Sequence, residues 1–223
     1  MAARQHARRE DLLAHAAALC DERGLDGVTA AALAARAGVV PAALYRTFAS
    51  LDEVRAHLVI RAVDALVDDL RAASAPHSGK ATKRSALAAL VVLARVLPAL
   101  QRAEPARFRL IDHALGALDP LFAPELRARV ELSTVRALGV VEAAFAHARN
   151  VGALGGGGDP SHDAVRTLAL LGLVHGCTHL AKRDAYESDA RGSRVVLEAA
   201  LRASLIGFGA SATLVDGALA QGG

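Results

Sequence analysis

Two short helical segments separated by a single glycine constrain this chain more than any other part of its sequence. Residues 29 to 48 read TAAALAARAGVVPAALYRTF. Thr29 can cap the first helix by accepting a hydrogen bond from a free backbone N–H, and Gly38 can end it in the left-handed conformation. Pro41 fits the first position of a second helix, where its missing N–H is no loss. The segment is therefore predicted to fold as helix, turn and helix.

The second of these helices is predicted to have an apolar face and an outer face. Leu44 and Phe48 are four residues apart and are expected to face inward. The residues expected on or near the outer side are Ala42, Ala43, Tyr45, Arg46 and Thr47. A glycine-broken helix pair that exposes a tyrosine and an arginine is typical of a DNA-binding helix-turn-helix.

Further helices are predicted on both sides of this pair. Upstream, apolar residues recur at helical spacing over about 8–23, and Gly24 follows as a stop signal. Downstream, Ser50 and Glu53 match a capping box, in which the serine accepts from the N–H of Glu53 and the carboxylate reaches back. A long helix over about 51–73 is predicted to follow.

With these elements, the first seventy or so residues resemble the DNA-binding domain of the TetR (tetracycline repressor) family of transcriptional regulators. The matching residues occur in the family's order and spacing: Gly24, Val28-Thr29, Leu33-Ala34, Ala37-Gly38-Val39, Leu44-Tyr45, Phe48 and Asp52-Glu53. The resemblance implies binding to double-stranded DNA. The expected DNA-binding residues are Thr29, Arg36, Val40, Pro41, Ala42, Tyr45, Arg46 and Thr47.

Two positions depart from the family pattern. Val40 stands where the family usually has serine or threonine, whose hydroxyl caps the recognition helix and can contact a phosphate. Leu51 stands where the family usually has lysine, whose ammonium reaches the DNA backbone. Each lost phosphate contact weakens binding and lowers its salt dependence by roughly one unit of slope. Modest DNA affinity is expected.

Net charge gives only partial support for DNA binding. Residues 1 to 50 contain six arginines against five acids, a net charge of +1, and the whole chain has a net charge of +3. Arginine placement favours DNA more than the count does, because an N-terminal arm and the flanks of the recognition helix hold Arg4, Arg8, Arg9, Arg36 and Arg46. The alternative is that these arginines only solvate helix surfaces.

The rest of the chain is predicted to be helical, because no stretch alternates like a strand over a useful length. A break over 74–83 precedes five predicted helices: 84–102, 105–117, 123–150, 162–183 and 192–215. Pro98 predicts a kink or an early helix end near Leu97. The glycine run 155–158 predicts a mobile surface loop.

The predicted fold class is all-α with two domains. A helix-turn-helix DNA-binding domain is expected at 1–52, and a helical ligand-binding and dimerisation domain at 53–223. No uninterrupted apolar run reaches the roughly 20 residues of a membrane span, and no apolar segment follows the arginine-rich start. A soluble cytoplasmic protein without a membrane partner is expected. The two cysteines, Cys20 and Cys177, both lie in helical apolar patterns, which argues against a disulfide framework.

The last two predicted helices carry small residues at spacings of three and four, which would let helix axes approach closely. TetR-like proteins dimerise through two C-terminal helices as a four-helix bundle, so the resemblance implies a homodimer. Its expected interface residues are Gly172, Gly176, Ala199, Ala203 and Gly207. Such a dimer would place two recognition helices about one DNA turn apart, on a pseudo-palindromic operator. The alternative is ordinary packing inside one subunit.

His175 and His179 lie on one helical face, roughly 40° apart at 3.6 residues per turn. Two histidines are an incomplete metal site, and Cys177 points nearly the opposite way, so no metal and no cofactor are predicted. The alternative is a pair of histidines hydrogen-bonded in a partly buried place or across a dimer. The resemblance also implies a small-molecule effector pocket, for which the candidates are Phe108, His113, Glu142, Phe145, His175 and His179. Because aromatic residues are few, an apolar or amphipathic effector is expected.

The sequence thus predicts a DNA-binding transcriptional regulator, a repressor that a small-molecule effector releases from its operator. An enzyme is not predicted, because the sequence lacks a nucleophile elbow, a phosphate loop and a complete metal cluster. The alternative is a helical protein-interaction module with weak or degenerate DNA binding. Such a module would have no use for an exposed Tyr45 and Arg46 after a glycine-broken helix pair.

Overall fold

A computed structural model describes residues 2–79, 82–116, 122–155, 159–180 and 192–221, and all regular structure in these ranges is helical. The α-helices are α1 (Ala2–Arg23), α2 (Ala30–Arg36), α3 (Pro41–Leu44), α4 (Leu51–Ser74), α5 (Lys83–Ala103), α6 (Pro105–Leu115), α7 (Pro124–Asn150), α8 (Ser161–Leu180), α9 (Ser193–Gly207) and α10 (Ala212–Gln221). Short 3-10 turns lie at Leu25–Gly27 and Ala75–His77. The predicted all-α fold class is confirmed.

The chain forms two compact units. Unit 1 contains Met1–Leu66 and Glu104–Val135, and unit 2 contains Val67–Ala103 and Arg136–Gly223. The boundary expected at residue 52 stays a prediction.

Unit 1 has a core of aliphatic side chains and three phenylalanines, Phe48, Phe108 and Phe122. In it, α1 packs against α2 and α6, and α2 packs against α3. The apolar stripe predicted for α1 is fully inside, as are the inner residues of the short helices: Leu12, Leu13, Ala16, Leu33, Leu44 and Phe48. Burial of such side chains is the main favourable term in folding.

Unit 2 is built around α5. This helix packs against α8 and α10, and α9 packs against both of them. By length and apolar composition alone α5 could cross a membrane, but more than half of its apolar stretch is buried inside the protein. That burial is typical of the central helix of a core.

The structure corrects two expectations about helix ends: α5 does not end early at Pro98, and one predicted helix is divided in two. Helix α5 continues through Pro98 to Ala103, because buried Leu97 and Leu100 hold the helix on both sides of the proline. The single helix predicted over 192–215 is divided into α9 and α10 at Gly209, which has a φ of +91°. A Cβ at Gly209 would lie 2.6 Å from the backbone nitrogen of Gly155, so this close backbone approach requires glycine.

Some predicted features fall outside the described residues. They are the expected end of one helix at residue 117, the end of another over 181–183, and residues 156–158 of the glycine run.

Candidate nucleic-acid interface

The turn between α2 and α3 forms as its residue types predict. The Thr29 hydroxyl accepts a hydrogen bond from the Ala32 N–H at 3.2 Å and caps α2. Gly38 follows that helix with a φ of +65°. Pro41 is the first residue of α3, and Val40 before it is extended and makes no capping hydrogen bond with its side chain. The missing hydroxyl at Val40 therefore leaves this helix start uncapped.

Helix α3 is a single turn whose inner side carries two adjacent residues. Leu44 and Phe48 are buried, as predicted. Ala43 is also buried, at 7% exposure, so its expected place on the outer side is wrong. A helix of four residues has too few positions to confine its buried side to one residue, and the small Ala43 side chain shares that side with Leu44.

The outer side of α3 is a continuous exposed surface. Val40 is 68% exposed and Tyr45 is 54% exposed. Pro41, Ala42 and Arg46 are exposed beside them, and Thr47 is half-buried. Five of the expected DNA-binding residues therefore form one exposed surface, which we call the α3 surface and define as Val40, Pro41, Ala42, Tyr45 and Arg46.

The remaining expected DNA-binding residues have partners inside unit 1. Arg36 is exposed and pairs with Glu22, with 2.8 Å between Nη1 and Oε1. Thr29 is exposed at the start of α2, where its hydroxyl serves as the cap. The Thr47 carbonyl accepts a hydrogen bond from Arg9 at 3.0 Å.

The expected N-terminal arm is wrong, because α1 already begins at Ala2. Arg4 and Arg8 are exposed on this helix, but Arg9 points toward the core of unit 1. Its guanidinium lies over the Phe48 ring and donates to the Glu53 carboxylate at 2.7 Å. The sequence carried a signal for this position, since Arg9 lies one turn before the buried Leu12 and Leu13 and shares their helical face.

The capping box at the start of α4 forms with one change of partner. The Glu53 N–H donates to the Ser50 hydroxyl at 3.1 Å, as predicted. The Glu53 carboxylate accepts from the Ala49 N–H at 2.7 Å. Burial raises the pKa of Glu53, but the hydrogen bonds from Arg9 and from the Ala49 N–H outweigh it and lower the pKa below its ordinary value. Glu53 is therefore a stable anion that holds Arg9.

His57 completes this cluster, and sequence reasoning missed it. Its Nε2 lies 2.6 Å from Nη2 of Arg9 and 3.3 Å from Nη2 of Arg129 on α7. A guanidinium can only donate, so the imidazole nitrogen accepts and the ring is neutral. Burial and the two arginines lower the pKa of His57, despite the opposite effect of the nearby Glu53 carboxylate. Arg9, Glu53 and His57 thus form a polar cluster that holds the segment directly after α3.

The expected effector residues are found in different surroundings. On α6, Phe108 is buried and His113 is half-buried. In unit 2, Phe145 is fully buried, with its ring centre 5.9 Å from that of Phe208, while Glu142 is exposed. The placement of Phe145 is that of a core side chain.

The two histidines of α8 share a face, as predicted. Their Nε2 atoms are 3.2 Å apart and their rings meet edge to face. Cys177, between them in sequence, is buried, and burial raises the pKa of its thiol. Burial distinguishes Cys177 from His175, which is half-buried, and from His179, which is exposed.

The expected dimer residues all lie on the exposed surface of α8 and α9: Gly172, Gly176, Ala199, Ala203 and Gly207. A Cβ built on any of the three glycines would meet nothing within 4 Å. The same two helices expose large apolar side chains at Val165, Leu168, Leu180, Val195 and Val196. The two helices thus carry an apolar surface that the described part of the chain leaves uncovered.

Residues 12–58 match the family model of bacterial regulatory proteins, tetR family. No curated protein sequence matches the chain.

Solved structures cover nearly the whole chain. A candidate TetR-family transcriptional regulator from Mesorhizobium loti MAFF303099 aligns at 21% identity over 92% of this chain and 96% of its own, with a TM-score of 0.64. SmeT, the repressor of the Stenotrophomonas maltophilia multidrug efflux pump SmeDEF, aligns at 25% identity over 90% of this chain and 89% of its own, with a TM-score of 0.59. AibR, solved in complex with isovaleryl coenzyme A and operator DNA, aligns at 19% identity over 87% of this chain and 96% of its own, with a TM-score of 0.54.

Residues 12–58 are therefore a domain of the tetR-family type, and the fold of the whole chain is similar to that of solved TetR-family regulators.

Proposed function

We propose that the protein is a cytoplasmic, homodimeric repressor that binds a pseudo-palindromic DNA operator and is released by a small-molecule effector. The α3 surface carries this proposal. A tyrosine, an arginine and three smaller apolar residues are exposed there, on α3 and directly beside it, where Leu44 and Phe48 anchor the inner side. Solvent-exposed apolar and hydrogen-bonding groups on a short rigid helix suit the major groove.

Each residue of the α3 surface has a role that its chemistry allows. Arg46 and Tyr45 supply donors for base edges or phosphate oxygens. Val40, Pro41 and Ala42 supply apolar contacts of the kind that thymine methyl groups accept. Thr29, Arg36 and Thr47 are proposed as flanking contacts. To contact a phosphate, Arg36 would give up its ion pair with Glu22, which is exposed and therefore weak.

The uncovered surface of α8 and α9 supports the homodimer. Its small residues are exposed in the single chain, and large apolar side chains surround them on the same helices. An exposed apolar patch of this kind marks an interaction site more often than free surface. A two-fold dimer would repeat the α3 surface and double every DNA contact.

Effector release is supported by the family fold. AibR combines this fold with isovaleryl coenzyme A and operator DNA. For release, the effector must have a higher affinity for the conformation that does not bind the operator than for the conformation that does. The protein acts by binding and has no proposed catalytic residue. The interaction-module alternative is not favoured, because it gives no role to the exposed Tyr45 and Arg46.

Selection of genomic DNA fragments by the purified full-length protein tests the proposal. Retained fragments are expected to share an inverted repeat, and a gel shift with such a fragment should weaken as salt rises from 50 to 200 mM. Arg46→Ala, which removes one exposed donor group, should lower the affinity, whereas Arg71→Ala, at an exposed arginine of unit 2, serves as the matched control. Absence of any retarded fragment at micromolar protein would contradict the repressor assignment.

A further inference from the structure

Three helices of unit 2 enclose a small cavity that none of the expected effector residues lines. Its volume is about 130 Å³, and its walls come from α5, α8 and α9. Arg95, Ala99 and Arg102 line it from α5, Cys177 from α8, and Arg194 and Glu198 from α9. A cavity of this volume holds several water molecules, and therefore also a carboxylate or phosphate group.

Arg95 has an unsatisfied donor at this place. Its Nη2 donates to Oε1 of Glu198 and to the Leu219 carbonyl, each at 3.2 Å. Its Nη1 is buried and has no hydrogen-bond partner among the described residues. A buried donor without a partner is destabilising, so native proteins nearly always supply an acceptor, from the protein, from water or from a ligand. Arg95 therefore contributes to the cavity wall a guanidinium that the described residues satisfy only in part.

The charges around the cavity favour an anion as its occupant. Three guanidinium groups line it, against the single carboxylate of Glu198, a net charge of +2. Glu198 is already shared, at 3.2 Å from Arg95 and 3.5 Å from Arg194. Arg102 makes no ion pair with any described residue. Burial raises the pKa of the Cys177 thiol, so this residue stays neutral at pH 7 and adds no negative charge.

We propose that this cavity binds the carboxylate or phosphate group of a small acidic molecule, held by Arg95, Arg102 and Arg194. Arginine suits this task because its planar fork matches both anions and is more weakly hydrated than an ammonium group. The proposal rests on the proposed function, in that the bound acid would be the effector. A neutral molecule of the same shape would leave the excess of positive charge unbalanced, so the site discriminates by charge.

Thermal unfolding of the full-length protein tests the site with defined probes. Sodium phosphate and sodium butyrate are titrated at constant ionic strength, with sodium chloride and the neutral isostere butyramide as controls. Because a ligand that binds only the folded state raises the melting temperature in a saturable way, phosphate or butyrate should do so and both controls should not. The two anions separate a phosphate site from a carboxylate site.

Substitutions locate the response. Arg102→Met and Arg95→Met should each weaken the apparent affinity at least tenfold. Ala99→Leu keeps all charges, fills space beside the cavity and should have a similar effect. Arg202→Met on α9 is the matched control, because Arg202 is exposed, pairs with Asp216 and does not line the cavity. Where Arg95→Met fails to fold, Arg102→Met and Ala99→Leu decide the question.

The site would be overturned if added anion raised the melting temperature equally in the wild type, Arg102→Met and Ala99→Leu. It would also be overturned if sodium chloride raised the melting temperature of the wild type as much as phosphate or butyrate does. A gel shift without added anion tests DNA binding independently of anion binding, so failure of the anion site can be distinguished from failure of the proposed function. Operator binding without anion binding would overturn only the anion site. Anion binding by a protein that retards no DNA would overturn only the repressor assignment and leave an acid-binding site without that role.

Discussion

The guanidinium carbon of Arg9 lies 4.5 Å from the centre of the Phe48 ring. The same side chain donates to the carbonyl of Thr47 and to the carboxylate of Glu53. One residue of α1 therefore fixes the chain directly after α3 and the first turn of α4 together.

Arg9→Met should destabilise the protein, although the methionine keeps most of the apolar stem. The variant loses the cation–π contact and the hydrogen bonds from a charged donor, for an expected loss of about 1 to 2 kcal/mol in the free energy of unfolding. Urea unfolding measures this change. Arg8→Met, an exposed neighbour on the same helix, should leave the stability nearly unchanged. Equal stability of the two variants would contradict the role given to Arg9.

The stability of the protein should fall in mildly acidic solution because of His57. Its folded pKa lies below the ordinary value of 6.5. As the pH falls through 6.5 toward the folded pKa, the unfolded chain binds a proton that the folded chain does not, so the free energy of unfolding decreases. His57→Gln, which keeps an acceptor for Arg9, should show a shallower decrease between pH 7 and pH 5.5. Parallel pH profiles for the two proteins would show that His57 is not the group responsible.

Tyr45→Ala should weaken operator binding without lowering the melting temperature much, because 54% of the side chain is exposed. A loss of about 1 to 3 kcal/mol in binding free energy is expected for a direct base contact. Leu44→Ala, at the adjacent buried position, should instead cost about 2 to 5 kcal/mol of folding stability. Gel shifts and thermal melts of both variants separate the two roles. A large stability loss in Tyr45→Ala would place this residue in the core.

The helix-turn-helix could be predicted from the sequence because its signals lie within a few residues of the positions they affect. Thr29, Gly38 and Pro41 each act through a backbone requirement that lies within a few residues, and each is found where predicted. Arg9 and His57 act through partners 38 to 48 and 72 residues away in the sequence, so spacing along one helix, which could place Arg9 on the inner face, could not identify these partners.

The same reasoning explains the division between α9 and α10. In the sequence, Gly209 looks like one more small residue of a helical pattern. A glycine is required there because the Gly155 backbone approaches closely, and this is a tertiary contact that the sequence pattern does not contain. The expected interface residues of α8 and α9 could be selected from the sequence by their small size. Their exposure could not be predicted, because it depends on which helix faces pack inside unit 2.

Gly176→Leu should convert a dimer to a monomer. A Cβ at Gly176 meets nothing within 4 Å, so leucine does not clash with the described part of its own chain, and replacing glycine inside a helix favours helix formation. An effect on association must then come from the partner surface. Sedimentation at micromolar protein is expected to show monomer for Gly176→Leu and dimer for Gly139→Leu, a matched glycine on α7 whose surroundings are equally open. A dimeric Gly176→Leu would move the interface elsewhere.

Asp163→Asn should be the most destabilising of these changes. Asp163 is 2% exposed and its two carboxylate oxygens hold Arg149 at 2.9 Å and Arg166 at 3.2 Å. Arg166 also donates to the Gly155 carbonyl and lies over the Phe208 ring, so the cluster joins the end of α7, the start of α8 and the end of α9.

Removing the charge of Asp163 while keeping its size leaves two arginines without their anion, one of them buried. Breaking one side of a buried ion pair typically costs about 3 to 5 kcal/mol, because the remaining charge stays desolvated. Urea unfolding should therefore show a large shift of midpoint for Asp163→Asn. Asp216→Asn removes an exposed carboxylate from Arg202, and its midpoint should hardly move, because solvent screens that pair. A comparable midpoint in the two variants would mean that the Asp163 cluster is solvated and does not hold the ends of these three helices together.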